Sequence, residues 1–186
     1  MKPYKLTLSG ILIEMFSVVF AVLLALGVNE WRSSRSNEEL GTAAYQKITN
    51  EIKNNHQKIS RIIENHNNIL ADIDSVITRL RQNRTDITFG QIIFETPSST
   101  AWEAAKLTTA VNYLDYNKVE KITGVYSSQR IYSNVSDRVF QELVFLVPDK
   151  DPVKMIDQMR KQKVYLLNLI SIEKQLIEEY DNFLKT

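Results

Sequence analysis

An apolar run near the amino terminus constrains this chain more than any other feature. Residues 10–28 read GILIEMFSVVFAVLLALGV, which is 19 residues with a single charge at Glu14. A helix needs about 20 apolar residues to cross the hydrocarbon core of a bilayer. Trp31 follows the run, at a position where an indole ring sits well between lipid and water. The sequence therefore predicts a transmembrane helix over residues 10–31, preceded by a short tail of residues 1–9 and ending at Trp31 as its interface anchor.

Two other interpretations of this run fit less well. A cleaved signal peptide would have a shorter apolar region followed by a small-residue A-x-A site, and no such site occurs before Asn29. A buried core helix would need apolar surroundings, and nothing else in the chain is apolar enough to provide them. The basic residues almost balance across the span. The charged amino terminus tips this balance towards a cytoplasmic N-terminus and a large domain on the other side of the membrane.

One face of the predicted transmembrane helix combines small residues with the only charge. At 100° per residue, this stripe consists of Gly10, Glu14, Ser17, Ala21, Ala25 and Val28. Small residues let helix backbones approach closely in lipid, so the stripe predicts an assembly face. Glu14 would then face a partner helix or a water-filled path. The alternative is a carboxylate that lies one turn inside the boundary and reaches the headgroups.

A heptad pattern follows the apolar run and predicts a helix over about residues 38–83, with residues 32–37 as a possible hinge. Nine of the eleven seam positions are apolar, which is typical of a long helix packed lengthwise against others. The seam consists of Tyr45, Ile48, Ile52, Asn55, Ile59, Ile62, His66, Ile69, Ile73, Val76 and Leu80.

The seam contains two polar residues, Asn55 and His66. Asn55 could set register and oligomeric state by pairing with its copy in another chain, or it could be solvated where the helix leaves its partners. His66 could be a pH-sensitive contact or a ligand, or a half-buried histidine satisfied by a neighbour.

The rest of the chain also reads as helical. Residues 83–100 contain a glycine, a proline and a short apolar run, which predict a loop across the end of the bundle that could include a short strand. Thr100 and Glu103 have capping-box spacing for the helix that follows. The predicted helices cover about 100–110, 115–146, with Asp115 as cap, and 153–184. Long helices with short connections pack antiparallel, so residues 38–186 are predicted to form a helical bundle. The fold class is all-α: an N-terminal transmembrane helix followed by a long-helix antiparallel bundle with coiled-coil character.

Composition argues against several functional classes. The 23 basic and 22 acidic residues nearly cancel, so no charge excess points to nucleic acid. There is no cysteine, which excludes disulfides and thiolate metal sites. No phosphate loop or hydrolase motif occurs. We therefore expect a protein that is not an enzyme, has no cofactor or metal, and has no evident small-molecule substrate.

Several short motifs occur together in this chain. The apolar run ends in Val28-Asn29-Glu30-Trp31, and AWEAAK at residues 101–106 precedes a tyrosine-rich helix. This combination resembles an uncharacterised family of single-span membrane proteins of the Bacteroidota, whose anchor ends in an Asn-Trp pair. Here Glu30 separates Asn29 from Trp31. The resemblance implies a bacterial inner-membrane location and implies no activity.

These features predict a structural or accessory subunit that forms a homo-oligomer or joins another membrane protein in the lipid bilayer. A ligand-binding sensor is an alternative. It would have to signal through a partner, because only about nine residues lie on the side of the membrane opposite the large domain, too few for an output domain. A pore formed by a ring of Glu14 carboxylates is the other alternative.

Overall fold

The structure, a computed structural model, describes residues 8–84, 90–144, 149 and 151–185. Within these ranges it is helical with no strand, which confirms the all-α prediction. The elements are α1 (Leu8–Arg81), α2 (Thr100–Leu107), a 3₁₀ turn (Ala110–Tyr113), α3 (Tyr116–Val144) and α4 (Pro152–Leu184).

Helix α1 is a single element of 74 residues, which makes it about 111 Å long. It runs unbroken through residues 32–37, where the sequence predicts a possible hinge, so the structure has no break there. This polar stretch contains neither glycine nor proline. The Arg35 guanidinium reaches the Glu39 carboxylate one turn later, at 3.3 Å. Polar residues lower helix propensity only slightly, so the two long flanking segments keep this stretch helical.

The bundle is built from α1, α3 and α4. Helix α4 runs antiparallel to α1, because the rings of Tyr45 and Phe183 meet at one end, 6.2 Å apart. The Lys163 ammonium meets Asp74 at 2.6 Å towards the other end. We call the end nearest the apolar run the proximal end and the opposite end the distal end.

An extended segment takes the place of a fourth helix. Residues 90–99, here called the strap, run back along α1 from Asp72 to Asn55 and are antiparallel to it. The strap also touches α3: the Phe94 ring meets Phe140 edge-on at 5.3 Å. The prediction of a loop across the bundle end is therefore wrong for these residues. A strand is also absent from them, although residues 85–89 lie outside the described part of the chain.

The other helix boundaries lie within three residues of those predicted. Helix α2 ends at Leu107, and the 3₁₀ turn follows it. The Asp115 carboxylate accepts the Asn117 N–H at 2.9 Å, as expected of the cap of α3. Asp151 does the same for α4 by accepting the Val153 N–H at 2.9 Å.

Two apolar clusters form the core. The larger lies in the proximal and middle parts, around Ile52, Ile59 and Leu176. The smaller is distal, around Ile73 and Leu166. Buried polar side chains of α1 and α4 lie where the two clusters meet.

A close backbone approach between α1 and the 3₁₀ turn predicts a strong effect of adding one methyl group at Gly41. A Cβ atom on Gly41 would lie 2.7 Å from the Tyr113 carbonyl oxygen, whereas one on Gly124 would meet nothing within 4 Å. Gly41→Ala is therefore expected to lower the free energy of unfolding by about 1–3 kcal/mol. Gly124→Ala, the matched control inside α3, is expected to raise it by up to about 1 kcal/mol.

Both variants can be measured by chemical denaturation of the full chain in nonionic micelles, followed by circular dichroism. Equal stability of the two variants would contradict the close packing of the 3₁₀ turn on α1.

Candidate functional site

The apolar run of α1 is helical from Leu8 onward, so its small residues share one face of the helix. This face carries Gly10, Glu14, Ser17, Ala21 and Ala25. The side chains of residues 11–31 are all exposed. The Ser17 hydroxyl donates to the Ile13 carbonyl of its own helix at 2.8 Å. The Glu14 carboxylate, by contrast, has no partner among the described residues.

Trp31 lies at the carboxyl end of the exposed apolar stretch, with 64% of its surface exposed. The bundle begins ten residues later at Gly41, which is about 15 Å along the helix axis. Between these positions α1 is polar and carries the Arg35–Glu39 ion pair. This polar stretch separates the apolar segment from the bundle.

The heptad seam of α1 faces inward. From Ile48 to Leu80 its positions are buried within the chain, and Tyr45 is partly buried against the same core. The seam packs mainly against α4 and the strap. It therefore cannot also serve as a contact with another copy, which leaves the apolar segment as the main candidate for assembly.

Asn55 binds the strap. Its amide nitrogen donates to the Ser98 carbonyl at 2.7 Å, and its amide oxygen accepts the Ser98 N–H at 2.9 Å. Asn65, about three turns further along α1, does the same with the Gln91 carbonyl and the Ile93 N–H, both at 2.9 Å. The two amides thus satisfy backbone groups that a neighbouring β-strand would otherwise satisfy. The hypothesis that Asn55 pairs with its copy is wrong, because both of its polar atoms are used within the chain.

The start of α2 is capped from α1 rather than by its own residues. The Glu51 carboxylate accepts hydrogen bonds from the Ala101 N–H at 3.0 Å and from the hydroxyls of Ser98 and Tyr126, each at 2.6 Å. The predicted capping box does not form, because Thr100 is the first residue of α2 and Ser99 is its N-cap. The Glu103 carboxylate pairs with Lys106 at 2.9 Å. A carboxylate at a helix amino terminus is favourable because the unpaired N–H groups there carry partial positive charge.

His66 is completely buried, together with Glu173 of α4. Its Nδ1 atom lies 2.9 Å from Glu173 Oε1, and its Nε2 atom lies 2.9 Å from the Ile93 carbonyl oxygen. A carbonyl oxygen only accepts, so Nε2 must carry a proton. The contact between Nδ1 and Oε1 needs one further proton, whether it resides on the ring or on the carboxyl group. The pair is therefore neutral overall in either form, and it joins α1, α4 and the strap.

This geometry bears on two of the interpretations of His66, the ligand and the satisfied histidine, while the pH-sensitive contact stays a prediction. Neither ring nitrogen is free, so the histidine cannot serve as a ligand while the strap is bound. It is satisfied by neighbours, and its burial is complete rather than partial. The other histidine, His56, pairs with Asp181 at 3.0 Å nearer the surface. Within the described ranges, no group of three or more histidine, aspartate or glutamate side chains is placed to hold a metal ion.

Three buried tyrosines add further polar groups to the core. Burial, and then the hydrogen bond to Glu51, raise the pKa of the Tyr126 hydroxyl far above its ordinary range. Burial and the nearby Glu173 raise the pKa of Tyr132. Burial also raises the pKa of Tyr180, although the adjacent Gln129 amide opposes that shift. The three hydroxyls therefore remain protonated.

Sequence reasoning did not identify Glu51 or Glu173. Glu173 occupies a position between Leu169 and Leu176 where α4 faces the core. One signal in the sequence could have paired Glu173 with His66. A carboxylate lies on the apolar face of one helix, and a histidine lies on the seam of another.

Comparisons with models of known protein families, with curated proteins and with solved structures give no match to this chain. The assignment of a function therefore depends on the geometry of the chain itself.

Proposed function

We propose that this chain is a non-enzymatic, membrane-anchored accessory subunit. It assembles with copies of itself, or with another membrane protein, mainly through the small-residue face of its apolar segment. The bundle stands in water on the far side of a bacterial inner membrane from the short amino-terminal tail. Its lipid-facing and partner-facing surfaces belong to one helix.

The exposure of the apolar segment carries this proposal. Among the described residues, one helix is long and apolar enough to cross a membrane, and none of its apolar window is buried. The bundle, in contrast, buries its own apolar residues in two clusters. An exposed apolar surface of this size is unfavourable in water, so lipid or another protein must cover it.

Glu14 supports assembly rather than simple anchoring. A carboxylate within a span costs about 2.5–3.5 kcal/mol at the bilayer centre and less near the boundary. An interhelical hydrogen bond recovers part of that cost, by about 0.6–2 kcal/mol. The small residues beside Glu14 would let a partner helix come close enough to form this bond.

Variants of Glu14 provide the test. We expect Glu14→Ala to insert normally but to weaken assembly by about 3–30-fold, which corresponds to the loss of one interhelical hydrogen bond. Glu14→Gln should weaken assembly less, because an amide can still form hydrogen bonds. The measurement is the dissociation constant of the complex in micelles, followed by light scattering and energy transfer.

A second pair of variants tests the face itself. Ala21→Leu adds bulk on the small-residue face and should weaken assembly, whereas Val19→Phe adds a similar bulk on the opposite surface and should not. A wild-type chain that is monomeric and copurifies with no membrane protein would contradict the proposal.

If both Glu14 variants keep their complex size but change cation leakage from vesicles, the assembly is a pore rather than a scaffold.

A further inference from the structure

A groove lies between the end of the strap, α2 and α3, and it has a volume of about 550 Å³. This size falls in the range of small-molecule sites, about 300–1,000 Å³. Three elements that are distant in sequence form its walls, so it exists only in the folded bundle.

One wall of the groove is aromatic. The rings of Trp102 and Tyr126 stack nearly parallel, with centroids 5.8 Å apart and an interplanar angle of 11°. The Lys106 ammonium lies 5.5 Å from the centre of the Trp102 ring and 2.9 Å from the Glu103 carboxylate. This wall combines an apolar surface with the Lys106–Glu103 ion pair at its edge.

The wall formed by α3 is rich in hydrogen-bond donors. Arg130 is exposed at the groove and makes no ion pair with any residue that the structure describes. The hydroxyls of Ser127 and Ser133, three residues before and after it, also have no partner in those parts of the chain. A guanidinium group flanked by two hydroxyls suits an oxyanion, because arginine can donate two parallel N–H bonds to a carboxylate or phosphate.

Gln129 lies at the inner side of the groove and is only 4% exposed. Neither polar atom of its amide makes a hydrogen bond of ordinary geometry within the described residues. The Tyr180 hydroxyl is adjacent and interacts with this amide, although not in the geometry of an ordinary hydrogen bond. The Gln129 amide therefore keeps unused hydrogen-bonding capacity at the inner side of the groove.

We propose that this groove binds a small organic anion. Its carboxylate or phosphate group lies on Arg130 with the flanking serine hydroxyls, and its uncharged part lies against the edge of the Trp102–Tyr126 pair. The binding site is separate from the assembly face on α1 and depends on neither membrane insertion nor assembly, so it goes beyond the proposed function.

Trp102 supplies the reporter for a binding experiment. The chain has two tryptophans, so Trp31→Phe leaves Trp102 as the only one, inside the groove. We would titrate the full-length Trp31→Phe chain in nonionic micelles with sodium phosphate, phenyl phosphate and benzoate at constant ionic strength. We expect a saturable change in Trp102 fluorescence with at least one of the two aromatic anions, and weaker binding of inorganic phosphate.

Arg130→Gln is expected to weaken binding of that anion by at least about tenfold, because a charged hydrogen bond contributes about 1.5–3 kcal/mol. Arg138→Gln is the matched control, since Arg138 is an exposed arginine two turns further along α3 and does not line the groove. It should bind like the parent. Circular dichroism confirms that both variants are folded. A preference for phenyl phosphate or for benzoate identifies the anionic group.

Two results would overturn the proposal. One is the absence of a saturable response to any of the three anions in the parent chain. The other is equal weakening by Arg130→Gln and Arg138→Gln, which would show that only the general positive charge of the surface matters. Neither result would bear on the assembly tests with Glu14.

Discussion

Replacing His66 with leucine is expected to lower the free energy of unfolding by about 3–5 kcal/mol. The substitution leaves the Glu173 carboxyl group buried without its partner, and removal of one member of a buried pair typically costs this much. It also leaves the Ile93 carbonyl oxygen of the strap without a donor. Chemical denaturation of the full chain in nonionic micelles measures the effect.

The double variant His66→Leu/Glu173→Leu should regain much of this loss. Two apolar side chains would then meet between the two apolar clusters, and no carboxyl group would remain to be desolvated. A residual cost of about 1–3 kcal/mol is expected from the unpaired Ile93 carbonyl. The coupling between the two positions follows from a double-mutant cycle.

His56 provides the control, because it joins the same two helices through Asp181. The side chains of this pair are 27% and 48% exposed, so His56→Leu should cost no more than about 1 kcal/mol. Similar losses for His56→Leu and His66→Leu would show that burial of the His66–Glu173 pair does not govern its contribution.

Asn55→Ala is expected to cost about 2–4 kcal/mol. The variant removes both hydrogen bonds to Ser98. Because Ser98 is only partly buried, each of its backbone groups left without a partner costs about 1–2 kcal/mol, the lower part of the range for buried groups. Asn67→Ala is the control, because Asn67 is exposed on the same helix and bonds only to the Ile63 carbonyl of its own helix, at 2.7 Å. Its substitution should change stability by less than about 0.5 kcal/mol.

Hydrogen exchange gives an independent measure of the same prediction. In Asn55→Ala the Ser98 amide should exchange faster than in the wild-type chain, whereas in Asn67→Ala it should not. Unchanged protection of Ser98 in Asn55→Ala would mean that the strap is held by its apolar contacts alone.

The helices of this chain could be predicted because the apolar residues that define them recur at a regular spacing within each segment. The seam from Tyr45 to Leu80 follows a spacing that a single helix explains, and its apolar members are buried or partly buried. The same spacing does not say which partner covers the seam. Here it is α4 and the strap, so a pattern that also occurs in intermolecular coiled coils was satisfied within one chain.

The strap could not be predicted in the same way. Its backbone bonds to side chains of α1 that lie between 18 and 43 residues earlier in the chain. An extended segment held by asparagines has no period of its own, and asparagines on a helix usually indicate a solvated face. The candidate assembly face is a different case, because its members lie close together in sequence and helical geometry alone places them side by side.

The unbroken course of α1 has a consequence for the shape of any complex. Arg81 lies 60 residues beyond Ala21 on the same helix, which corresponds to about 90 Å. Packed helices in membranes commonly cross at about 20°. Two copies that crossed at this angle near Ala21 would have the axes of their Arg81 ends about 30 Å apart. Such a dimer would be V-shaped, with its arms diverging towards the distal ends of the two bundles.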